Sequence, residues 1–62
     1  MQELCLLWRL PNGTTCIVLR TGEAWELQIK RLRQLLYKEF FADGHVLIER
    51  AKELRLLYEA VA

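Results

Sequence analysis

Residues 25–42 read WELQIKRLRQLLYKEFFA, and the folding of this stretch decides the architecture. As extended chain, Trp25, Leu27 and Ile29 alternate with Glu26, Gln28 and Lys30, a period of two. A turn at Leu32-Arg33-Gln34 and a strand from Leu35 to Phe41 then complete a hairpin. As helix, Trp25, Ile29, Leu32, Leu36 and Phe40 make a stripe at helical spacing. No Gly, Pro, Asn, Asp, Ser or Thr lies between Glu23 and Ala42, which favours the helix on propensity. The helix leaves Leu27, Tyr37 and Phe41 off its stripe. The strands leave a turn without turn residues.

Upstream the signals are stronger. Leu4, Leu6, Trp8 and Leu10 alternate until Pro11-Asn12-Gly13 interrupts them, and Thr14 to Thr21 follows, rich in β-branched residues. Two such runs around Pro-Asn-Gly predict a β-hairpin. Its register is contested by two features. A two-residue Asn12-Gly13 loop gathers Leu4, Leu6, Trp8, Leu10, Ile17 and Leu19 on one face, but asks Pro11 for an N–H that proline lacks. A three-residue Pro11-Asn12-Gly13 loop suits the turn chemistry, with Gly13 in the left-handed region, and pairs Trp8 with Cys16. A missing donor is a local cost that patterning cannot repair, so the three-residue loop is expected. Either pairing keeps Cys5 and Cys16 apart. They lie roughly 13 Å apart along the strands in the first and on opposite faces in the second. Two free thiols are therefore expected.

Downstream, Asp43 to Ala62 reads as one amphipathic helix. Leu47, Ala51, Leu54, Tyr58 and Val61 share a face, Val46 and Leu57 border it, and Glu49, Lys52, Glu53 and Glu59 lie opposite. Asp43 is the expected N-cap, although Val46 stands where a capping box needs Glu or Gln. Leu56 falls on the polar face. A one-sided helix must bury its stripe against another layer, and the hairpin is the layer available.

The order hairpin, Trp25-Glu-Leu-Gln-Ile29, Leu35-Leu-Tyr-Lys-Glu-Phe-Phe-Ala-Asp43, then an Ala/Leu-rich helix resembles a class of short uncharacterised bacterial proteins. The resemblance implies about four meander strands followed by one helix. It carries no activity, and this chain departs from it at Leu32-Arg33, where a Gly-containing turn is expected. The fold class is then α+β: a small antiparallel β-meander, made of an N-terminal hairpin plus a second hairpin, with a C-terminal amphipathic helix packed on one face. A hairpin followed by a helical hairpin is the alternative. Residues 1–62 form one small domain in either case.

A net charge of +1 gives no global field for a polyanion. Met1-Gln2-Glu3 lacks the basic start of a signal peptide, and no apolar run approaches the ~20 residues that span a bilayer. With two expected free thiols, the expected compartment is the cytoplasm and no membrane partner is expected.

Catalytic chemistry finds little to use. Cys5 and Cys16 are the candidate nucleophiles and His45 is the single histidine, placed on a different element. A strand cysteine is most simply a small buried hydrophobe. The cysteines lack the paired spacing of a zinc site, and Gly13, Gly22 and Gly44 are isolated rather than clustered in a phosphate loop. No catalytic residue, metal or cofactor is assigned, and the chain is expected not to be an enzyme. Lys30, Arg31, Arg33 and Lys38, with Tyr37 among them, form a basic run that could grip a phosphate backbone or stack a base. The simpler account is a solvated face, so nucleic acid is the second choice of partner.

Apolar residues make up 53% of the chain, and a domain of this size buries only about 60% of its unfolded surface. Such a surplus points to protein–protein contact, first with a second copy of the chain, with a dimer favoured. Leu7, Phe41, Leu56 and one face of the hairpin are the candidates for that contact.

Overall fold

The three-residue break at Pro11-Asn12-Gly13 works as its turn chemistry demands. In the computed structural model, which describes residues 3–61, Leu10 N–H donates to the Thr14 carbonyl at 2.8 Å and Gly13 N–H to the Leu10 carbonyl at 3.0 Å. Gly13 takes φ +90°, a value that L side chains resist. The turn joins β1 (Glu3–Arg9) to β2 (Thr14–Thr21), with Trp8 opposite Cys16 as expected for this loop.

β3 (Ala24–Arg31) and β4 (Gln34–Phe41) follow, so the contested stretch is a hairpin and not a helix. The four strands form one antiparallel sheet in the order β1-β2-β3-β4. α1 (Gly44–Val61) returns across β3 and β4 on one face of this sheet. Trp8, Cys16, Val18, Leu27, Ile29 and Phe41 from the strands and Leu10 at the first turn meet Leu47, Ala51 and Leu54 from the helix in one core.

The missing turn residue at Leu32-Arg33 is made good by strain. Gly22-Glu23 and Leu32-Arg33 are both two-residue connections, and each has a positive φ at its first residue: +63° at Gly22 and +58° at Leu32. Glycine adopts that conformation freely, whereas a leucine pays for it at about 1–2 kcal/mol. Pairing of seven residues of β3 with seven of β4 overrides the local preference.

Two register shifts shape the faces. One lies between Leu6 and Trp8, leaving Leu7 as the extra residue, and the other between Ile29 and Lys30, opposite Leu36. A one-residue shift exchanges the faces of a strand. Beyond Leu7, Cys5 therefore stands opposite Val18 on the helix side, while Leu4 and Leu6 pair with Leu19 and Ile17 on the far side. This corrects the expectation that the cysteines face opposite ways. They share the helix-facing side as diagonal neighbours, roughly 7–8 Å apart at Cα, and both are unbridged.

Asp43 caps α1: its Oδ1 accepts the His45 N–H at 2.8 Å. The buried stripe is Leu47, Ala51 and Leu54, with Tyr58 half-buried; the side chain of Val61 lies outside the described ones. Val46 and Leu57 do not widen it as expected, since both are exposed. The helix makes most of its sheet contacts with β3 and β4, and these two side chains lie beyond the face it buries.

Candidate functional site

Three surfaces stand out, and none was singled out whole by the sequence. The first is the outer face of the sheet, opposite the helix. Pairing sets its side chains in rows: Leu4, Leu19, Glu26, Phe40; then Leu6, Ile17, Gln28, Lys38; then Arg9, Thr15, Lys30, Leu35. Leu4, Leu6, Ile17 and Leu19 make an apolar corner over β1 and β2. Arg9, Lys30 and Lys38 make the remainder basic, with Glu26 receiving a hydrogen bond from Gln28. Lys38 Nζ lies over the Phe40 ring, 5.5 Å from its centre.

The second surface is a cleft of about 470 Å³ on the helix side. Cys5, Leu7, Val18, Trp25, Leu47 and Ile48 give it apolar walls, and Asp43 and His45 also line it. The shift at Leu7 shapes one of its walls. Straight pairing from the turn would seat Leu6 opposite Val18, but the shift seats Cys5 there. A thiol takes the place of an isobutyl group, so this part of the cleft wall is the shallower for it. Trp25 closes one wall, with the Arg20 guanidinium stacked 5.0 Å from its ring centre.

The third surface is the tip of the β3–β4 hairpin. Leu32 is 87% exposed, the most exposed of the large apolar side chains described. Arg31 and Arg33 flank it. Arg31 Nε donates to Thr14 Oγ1 at 3.2 Å, which steadies the tip against β2. Leu32 Cδ2 lies 3.9 Å from where a Cβ on Gly13 would be, so the first and third turns sit side by side.

The residues proposed from sequence distribute unevenly over these surfaces. Leu7 is half-buried and lines the cleft. Leu56 is 69% exposed on the helix, away from the sheet. Phe41 needs correction as a contact residue: it is only 9% exposed, because its position opposite Trp25 turns it into the core. Its neighbour Phe40, opposite Glu26, is the exposed ring at 58%. The basic run does not form one patch. Lys30 and Lys38 lie on the outer face, Arg33 at the tip, and Arg31 and Tyr37 on the helix side. Tyr37 is also engaged, since its hydroxyl donates to Glu39, which Arg50 approaches from the helix at 3.5 Å. That bond to a carboxylate, with burial adding to it, pushes the Tyr37 hydroxyl above its ordinary pKa.

Sequence reading missed Leu32 and Ile48. Leu32 carries a visible signal, an apolar residue between two arginines where a turn glycine belongs. Ile48 carries none, being one more aliphatic residue beside the stripe.

Cys16 is fully buried beside Trp8, and burial pushes its thiol up to about 11. Cys5 is exposed. Among the described residues, no three His, Cys, Asp or Glu side chains gather as a metal-binding group, and no helix is long and apolar enough to cross a membrane. No protein-family model matches this chain, and neither a curated protein nor a solved structure matches it.

Proposed function

We propose that this chain is a small non-enzymatic interaction module that binds protein, in the first place a second copy of itself. One observation carries the reading. Among the described residues, nine large hydrophobic side chains are exposed, against ten apolar residues in the core. Single exposed leucines are ordinary, but grouped ones, as at Leu4 and Leu6 beside Ile17 and Leu19 on the outer face, mark interaction surfaces. A dimer is the favoured state, and the cytoplasm, with both thiols reduced, is the compartment that goes with it. Light scattering coupled to size exclusion, run from low to high micromolar chain, tests this. A mass that climbs above 7.4 kDa with concentration supports it, and a constant monomer mass throughout removes it.

Single-stranded nucleic acid is the second reading, and it rests on the open outer face. There the exposed Phe40 ring lies under Lys38, with Lys30 on the neighbouring strand and Arg9 on the far edge strand of the same face. A ring beside cations is the arrangement on which an unpaired base stacks. Against it stand the near-neutral net charge and the inward placement of Arg31 and Tyr37. A mobility shift with mixed oligonucleotides at low salt tests it: retardation that vanishes in Phe40→Ala supports this reading, and none at all ends it.

A further inference from the structure

The tip and the cleft lie at opposite ends of the sheet, and their features answer each other. The tip presents one apolar side chain, Leu32, held in a backbone conformation that leucine disfavours. Strain of this kind persists where the surroundings impose it and is frequent at binding sites. The strands and turns at this end carry Arg9, Lys30, Arg31 and Arg33 and no acid. The cleft offers an apolar hole of about 470 Å³. Asp43 lines it, Glu23 lies in the β2–β3 turn two residues before the wall residue Trp25, and the Arg20 guanidinium is stacked on the Trp25 ring. His45 also lines it.

We infer that the Leu32 tip of one chain inserts into the cleft of another, with Arg33 and Arg31 meeting the Asp43 and Glu23 side. This rests on the self-association proposed above and names its contact. Because knob and hole lie on different surfaces of the same chain, the contact is head-to-tail. A single such contact makes a dimer with one tip and one cleft still free, and further chains extend it into rings or open rows. The apolar corner at Leu4 and Leu6 is left for other contacts.

A head-to-tail contact can be blocked from either side, and the two blocks complement each other. Leu32→Asp removes the knob and leaves the cleft intact. N-ethylmaleimide on the exposed Cys5 fills the cleft and leaves the knob, while buried Cys16 is spared. Circular dichroism of each form verifies that the fold persists. By sedimentation velocity, each blocked form alone is expected to stay monomeric, with apparent affinity reduced more than about tenfold. An equimolar mixture is expected to give a species of twice the monomer mass and nothing larger. Raised salt should weaken the wild-type association. If the wild type associates and both blocked forms associate equally well, the tip-in-cleft contact is wrong, and self-association through the outer face stands. If the blocked forms are monomeric but their mixture is too, the contact is not head-to-tail. A wild type that never associates removes this contact and self-association together.

Discussion

Trp8 Nε1 donates to the main-chain carbonyl of Ala51 at 3.1 Å, joining an edge strand to the middle of the helix across 43 positions of sequence. The helix makes most of its sheet contacts with β3 and β4, and this bond ties β1 to it as well. Trp8→Phe keeps most of the apolar area and loses the donor in a buried setting. A loss of about 1–2 kcal/mol is expected, read as a lower urea midpoint with an unchanged slope.

Leu32 has a positive φ in a turn that elsewhere in this sheet uses glycine. Leu32→Gly relieves about 1–2 kcal/mol of backbone strain. It also frees the unfolded chain, at a cost of about 0.4–1 kcal/mol. The first effect is larger, so a net gain of about 0.5–1 kcal/mol is expected in urea unfolding of dilute protein. A destabilised variant would show that the tip leucine is held by contacts within its own chain.

The Asp43 carboxylate satisfies one of the free N–H groups at the start of α1. Asp43→Ala should cost about 1 kcal/mol, and Asp43→Asn should recover most of it, because an amide oxygen caps as well. Urea midpoints of the three proteins provide the comparison. Equal midpoints for all three would mean that the cap contributes nothing.

Cys16 makes stability fall in alkali. Its thiol titrates near 9.0 in the unfolded chain and near about 11 when buried in the fold, so the folded form holds its proton to higher pH. The contribution is complete below pH 9 and is lost as pH rises towards 11, on the order of 2 kcal/mol in all. Cys16→Ala should be less stable at neutral pH from the small cavity it leaves. It should lose less stability than the wild type between pH 9 and 11. Parallel pH profiles for the two proteins would contradict this.

Much of the fold is legible residue by residue. Pro11-Asn12-Gly13 names its own turn, because only one loop length spares Pro11 an N–H it lacks. Leu47, Ala51 and Leu54 repeat at helical spacing behind a capping aspartate. Trp25, Leu27 and Ile29 alternate as a half-buried strand does. Residues 32–33 mislead, because their conformation is disfavoured locally and imposed by the strands on either side. The site is far less legible. Phe40 and Phe41 are indistinguishable as neighbours in sequence, and cross-strand pairing alone sends Phe41 inward and leaves Phe40 in solvent.

The sequence by itself determined the local conformations, a meander and a capped helix, since turn chemistry and periodicity act over a few residues. The tertiary structure decided which side chains are left over. A single extra residue at Leu7 moves Leu4 and Leu6 to the outer face and puts Cys5 on the helix side, in the wall of the cleft. That outcome depends on the pairing of whole strands, where one residue of register turns a face over, and no short stretch of sequence contains it.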